Sequence, residues 1–344
     1  MQHQKCFFSP NADVYANYDA YISANTGGGT SANALQIVNY NYDIRGRLKT
    51  VNGGATSLEA SQNDLFGMQY GYKAPTSNGT YTDLLQSQSW ISKSRPSTRS
   101  FTYSYDTKDR LNGATYAGIG SEDYTLQSVG YDDNGNITSL ARKGMNSGTS
   151  TAPGGWGVID NLTYTYATNS NKLQKVQDAE ANNKPAVVQD FKDKNTASDD
   201  YEYYKDGSLK LGRNREITSI TYNYLGLAEV ITLTGNNRSI QNIYDASGLR
   251  MYKIIKDGTA EKRYDYVGDI IYRDGNPYSI NHDEGRVLKA GSSDFNTYEY
   301  QYRDQQGNLR VAYRQSTATV SGQSSFEPQD KVTETLHPDN VEPF

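Results

Sequence analysis

The residue types that carry most enzyme chemistry are few in this chain. Its 344 residues include three histidines, His3, His282 and His337, and one cysteine, Cys6. None of the histidines has a Cys or carboxylate at metal-ligand spacing. Cys6 could be a nucleophile but reads as a free terminal thiol. Being alone, it forms no internal disulfide, which says nothing of the compartment. Asp199, Asp200 and Asp304 are the carboxylates that could pair in glycosidase-type acid/base chemistry. Gly27, Gly28 and Gly29 are not followed by the Lys-Ser/Thr of a phosphate-binding loop and read as a linker. The sequence thus predicts no catalytic residue, no cofactor and no metal, and a chain that is not an enzyme.

What recurs instead is a phrase. Tyr40 to Val51 reads YNYDIRGRLKTV, and related phrases begin at Phe101 (FTYSYDTKDRLNGA), Val129 (VGYDDNGNITSL), Tyr201 (YEYYKDGSLK), Ile243 (IYDASGLRMYK) and Tyr300 (YQYRDQQGNLRVAY). Alternation places Tyr40 and Tyr42 on one face of a strand. Asp43 then opens a turn, where its carboxylate can accept backbone N–H groups two residues on. Gly46 suits the left-handed position that a tight turn or bulge requires, and Leu48 and Val51 begin the return strand. The unit is a β-hairpin.

The turn pairs are Asp43/Gly46, Asp106/Asp109, Asp132/Gly135, Asp245/Gly248 and Asp304/Gly307. Tyr42, Tyr105, Tyr131 and Tyr244 precede the first four. In a further copy Tyr203 is followed by Tyr204 at the Asp position, with Gly207 kept. Asp109 fits the pattern because Asp tolerates the left-handed region better than most residues. Weaker copies run from Leu162 to Val176, from Ile217 to Leu233 with a turn at Leu225-Gly226, and from Tyr264 to Ile280. Spacing between copies is irregular, unlike a strict solenoid. Gly144 to Gly157 reads as a loop anchored by Trp156, and Gln177 to Asp200 as a polar insertion.

Composition agrees with a β architecture. There are 30 Tyr and 31 Gly but only 8 Phe, and Tyr suits broad, half-solvated sheet faces. A net charge of −5 with scattered basic residues argues against a nucleic-acid partner. No apolar run is long enough to span a bilayer as a helix, and the N-terminus lacks the apolar core of a secretory signal.

The ordered series LQIVNYNYDIRGRL, NDLFGMQYGY, SNGTY with Trp90 beyond it, FTYSYDTKDRL, YNYLGL and YEYQYRDQQGNLRVAY resembles the YD-repeat core of RHS (rearrangement hot spot) proteins of the Bacteroidetes type. This family also includes the Tc toxin C component, WapA-type proteins and the teneurins. The resemblance runs from about Leu35 to Tyr313. It implies an all-β fold, a curved antiparallel sheet of YD-repeat hairpins forming part of an RHS β-shell. It also implies secretion or surface display, and a C-terminal toxin or other polypeptide cargo enclosed in the parent protein. Such a protein would serve delivery in interbacterial competition. Adhesion, with cell-surface glycans as partners, is the alternative. The family's Asp-Pro-x-Gly cleavage signature has no match here, and Gln305-Gln306 stands where the last landmark usually has His-Leu. The expected organisation is an irregular segment at 1–34, a repeat core at 35–315 with a polar insertion at about 177–200, and a flexible tail at 316–344.

Overall fold

Segments that alternate Tyr, Ile, Val and Thr with small or polar residues form strands throughout. The computed structural model describes residues 2–8, 34–54, 64–73, 83–93, 95–149, 153–180, 184–185, 190–283, 285–290, 294–303, 307–320 and 323–329. Among these there is no α-helix, and one short 3-10 turn at Arg213–Arg215. No helix among them is long and apolar enough to cross a membrane.

The strands make two antiparallel sheets, in each of which neighbours in sequence are neighbours in space. The first has 11 strands, from Gln2–Phe8 to Leu173–Asp178. The second has 13, from Tyr201–Tyr203 to Gln323–Gln329. The single sheet expected from the hairpin series is therefore divided. The division follows the polar stretch of residues 179–200, which contains no strand among its described residues. There the buried side chain of Asp200 replaces a ladder. Its carboxylate accepts the Val176 N–H at 2.7 Å, and its own N–H donates to the Gln174 carbonyl at 2.8 Å.

Three further expectations are corrected. Residues 1–34 are not wholly irregular, because Gln2–Phe8 pairs antiparallel with Ala34–Tyr42. The tail beyond 315 likewise contributes the end of strand Leu309–Val320 and all of Gln323–Gln329. Both lack the alternating tyrosine phrase of the repeats and are joined to a neighbour by backbone pairing, which leaves little pattern to read. Gly144 to Gly157 is mostly strand, divided between Ile137–Gly148 and Pro153–Tyr166. Its glycines make room for neighbouring side chains: a Cβ on Gly157 would stand 2.7 Å from the Asn146 amide. This is the close approach that places glycine inside a strand.

The chain divides into two compact units, one from Met1–Ser100 with Ser279–Glu342 and one from Phe101–Tyr278. In the first, Val38, Leu48, Val51, Leu65, Phe66, Met68 and Tyr70 form a buried core with Tyr300 and Tyr302. The Phe66 and Tyr302 rings lie 5.5 Å apart. In the second unit, Ile220, Ile231 and Ile240 are buried and face one another across three consecutive strands. An aromatic chain runs from Phe101 through Tyr116 and Tyr124 to Trp156, with centroids 5.1, 5.2 and 4.9 Å apart.

Candidate functional site

Among the described residues, each repeat turn is a three-residue hairpin loop closed by the same bonds. At Asp43, the Gly46 N–H donates to the Asp43 carbonyl at 3.0 Å, and the Asp43 N–H to the Arg47 carbonyl at 2.9 Å. Gly46 has φ 77°, so the loop is a turn followed by a left-handed residue that forms a bulge. The ladder shifts register at Tyr42. The Asp43 carboxylate fills the inside of this loop. Its Oδ1 accepts the N–H groups of Arg45 at 2.9 Å and Arg47 at 3.0 Å, and its Oδ2 accepts Arg47 Nε at 2.7 Å.

Asp106 repeats this arrangement with Lys108 and Arg110, and Asp109 takes φ 59°. Asp132 binds the Asn136 backbone and side chain, with Gly135 at φ 88°. Asp245 accepts from the Ser247 and Leu249 backbones and the Ser247 hydroxyl, with Gly248 at φ 87°. In the copy after Tyr203, Tyr204 and Gly207 close the loop, with Gly207 at φ 97°. Asp206 then supplies the carboxylate from inside, accepting the Ser208 N–H at 2.9 Å. Gly307 has φ 82°; Asp304 lies outside the described residues, as do Gly27 to Gly29 and His337.

These hydrogen bonds stabilise the charged carboxylates and hold their pKa values below the ordinary range. The leading cause is the Arg47 side chain for Asp43, the Arg110 backbone for Asp106, the Asn136 side chain for Asp132 and the Ser247 side chain for Asp245.

The tyrosines join one hairpin to the next. The Tyr131 hydroxyl donates to the Leu111 carbonyl at 2.7 Å, which opens the return strand of the preceding hairpin. The same bond links Tyr72 to Leu48 at 2.8 Å, Tyr166 to Ile137 at 2.8 Å, Tyr203 to Leu173 at 2.9 Å, Tyr222 to Leu209 at 2.8 Å and Tyr244 to Ala228 at 3.2 Å. In two hairpins the residue after the left-handed turn position covers the ring. Arg47 lies 4.3 Å over Tyr72 and Arg110 lies 4.4 Å over Tyr131, at cation–π distance. Arg110 also donates to the Asp132 carbonyl at 3.1 Å. Burial raises the pKa of the Tyr72, Tyr105, Tyr166, Tyr203 and Tyr222 hydroxyls.

Sequence reading did not assign Asn223, Asp206 or the arginine arm. Asn223 takes the aspartate role, accepting the N–H groups of Leu225 at 2.9 Å and Leu227 at 3.0 Å, and Gly226 has φ 76°. The Asn223/Gly226 spacing matches Asp43/Gly46, so a pattern admitting Asn would have found it. Arg47 and Arg110 each stand four residues after the turn Asp.

The remaining candidates are scattered. Asp199 is bound by Arg213 at 3.3 Å, while Asp200 is fully buried against backbone, accepting Asn195 Nδ2 at 2.7 Å. The His282 ring packs edge-on against Tyr300 at 5.8 Å. His3 and Cys6 lie in strand Gln2–Phe8.

Another group was not singled out in the sequence. One carboxylate oxygen from each of Asp160, Asp178 and Asp190 lies within 4.8 Å of the other two. Burial, opposed by N–H bonds from Asn161 and Glu180, raises the pKa of Asp178.

No known family matches this chain, and no curated protein matches it. Solved structures do show a likeness. The crystal structure of TcdB2-TccC3 aligns at 16% identity and a TM-score of 0.45, covering 81% of this chain and 16% of that one. The Tc holotoxin pore of Photorhabdus luminescens, carrying a TccC3 mutation, aligns at 15% identity and a TM-score of 0.46, covering 86% and 17%. A porin-like protein from Bacteroides uniformis aligns at 12% identity and a TM-score of 0.17, covering 85% of this chain and 87% of that one. The chain thus spans only 16% and 17% of the two Tc structures it matches.

Proposed function

We propose that this chain is a non-enzymatic wall element of an RHS-type shell, secreted or displayed at the cell surface. Its parent would enclose a C-terminal toxin or other polypeptide and help deliver it in interbacterial competition. The observation that carries the reading is where the repeat's polar groups go. The Asp43, Asp106 and Asp132 carboxylates are used on both oxygens to close their own turns. The hydroxyls of Tyr131, Tyr166, Tyr203 and Tyr222 are spent on the backbone of the preceding hairpin. Residues repeated for this purpose build a surface and need turn over no substrate. The resemblance of the YD phrases to RHS cores supplies the enclosed cargo.

The test begins with the gene on both sides of this segment. The product of the uninterrupted reading frame is then digested with protease under native conditions. A wall predicts that a domain encoded downstream survives while the shell is intact and is digested once urea opens it. Equal digestion in both states contradicts enclosure. Selective capture on a glycan array would favour the adhesive reading instead.

A further inference from the structure

Asp160, Asp178 and Asp190 come from three separate stretches of the second unit. Asp160 lies within strand Pro153–Tyr166, where the register shifts between Val158 and Asp160. The irregularity breaks the alternation, so that Ile159 and Asp160 are both buried, at 2% and 1% exposure. Asp178 is the last residue of strand Leu173–Asp178. Asp190 belongs to the polar segment that follows, and its side chain is 0% exposed.

The hydrogen bonds around this group are incomplete. Asp160 is satisfied on both oxygens, by Arg142 and by the Phe191 N–H at 2.8 Å. Asp178 Oδ1 accepts the N–H groups of Asn161 at 2.9 Å and Glu180 at 3.0 Å. Asp190 Oδ2 is paired with Lys192. The other oxygens, Asp178 Oδ2 and Asp190 Oδ1, are buried and have no hydrogen-bond partner among the described residues. Two cationic side chains, Arg142 and Lys192, thus face three carboxylates. A fourth carboxylate, that of Asp193, accepts the Asp178 N–H at 3.4 Å. Buried charge is ordinarily paired or bound to a metal, and here two unpartnered buried oxygens belong to carboxylates that lie together.

We propose that Asp160, Asp178 and Asp190 hold one calcium ion, which fastens the polar segment at Asp190 to the two strands beside it. An oxygen-only ligand set with no His or Cys selects a hard cation over zinc or copper. The three ligand atoms lie within 4.8 Å of one another, close enough to share a single ion. Magnesium demands contacts of about 2.0–2.1 Å in a near-ideal octahedron and releases water reluctantly, so calcium is the better fit. This site is independent of the wall function proposed above.

The full chain, stripped with a chelator, is titrated with calcium chloride by calorimetry and melted with calcium, with magnesium or with chelator. The proposal predicts one saturable calcium per chain and a higher Tm in calcium than in magnesium or chelator. Asp178→Asn and Asp190→Asn, which keep side-chain size, should each weaken calcium binding at least tenfold with an unchanged circular dichroism spectrum. Asp133→Asn, at a fully exposed side chain, should not weaken it. No calcium heat with the same Tm in calcium and chelator would overturn the proposal. So would undiminished calcium binding in both Asn variants.

Discussion

At the scale of single residues, the turn aspartates work through acceptor geometry as well as charge. Asn223 closes its loop with a neutral amide oxygen in the same place. Asn223→Asp should therefore preserve the unfolding midpoint, whereas Asn223→Ala should lower it, because the loop N–H groups of Leu225 and Leu227 lose their acceptor. Urea denaturation read by tyrosine fluorescence makes the comparison. Charge adds a pH dependence. Asp43, Asp106, Asp132 and Asp245 have lowered pKa values when folded. Their stabilisation is complete above the unfolded value of about 3.9, and is lost as pH falls through the folded values. Acid titration of the variant with all four changed to Asn should show a flatter fall of stability below about pH 4 than the parent. Tyrosine has the opposite sense. Burial raises Tyr166, Tyr203 and Tyr222, so their contribution is complete below the unfolded value of about 10 and lost as pH rises through the folded ones. Absorbance at the tyrosinate band should lag behind that of the urea-unfolded chain. Coincident curves would contradict the burial of these hydroxyls.

At the scale of elements, the hairpin was legible and its fastening was not. Asp-x-x-Gly after an alternating tyrosine run encodes a local turn, because every bond that closes it lies within five residues. The register shift at the tyrosine before the turn recurs at Tyr42, Tyr131, Tyr203 and Tyr244, as a left-handed bulge requires. The bonds from Tyr131 to Leu111 and from Tyr203 to Leu173 join residues 20 and 30 positions apart, and irregular spacing hides that relation in the sequence. Asp200 shows the same limit. Read beside Asp199 it suggests acid/base chemistry, but a side chain standing in for a missing ladder is visible only once strand Leu173–Asp178 lies beside it. Asp200→Ala would strand the buried Val176 N–H and should cost about 3 kcal/mol, with faster hydrogen exchange at Val176. An unchanged Val176 exchange rate would show that the bridge contributes nothing. The strands Gln2–Phe8 and Gln323–Gln329 were missed for a related reason: they carry no repeat phrase and their pairing is in the backbone.

At the scale of the whole molecule, two sheets built from consecutive hairpins leave outer strands whose edges can recruit other chains. Gln2–Phe8 and Gln323–Gln329 end the two sheets, so the isolated chain should self-associate with rising concentration in light scattering. A monodisperse monomer would contradict that. The all-β class and the repeat were readable because they are written locally and often. The division into two sheets was not, since it depends on how one polar stretch is bridged. Six tyrosine hydroxyls fasten one hairpin to the one before it. Equilibrium unfolding of the variant carrying Tyr131→Phe, Tyr166→Phe, Tyr203→Phe and Tyr222→Phe together measures what this fastening contributes. Each change removes one hydroxyl and keeps the ring, so the loss should be about 1 kcal/mol per site and about 4 kcal/mol in all. Tyr224→Phe, at an 82% exposed residue, should change nothing. A fourfold variant as stable as that control would show that these hydroxyls do not hold the hairpins together.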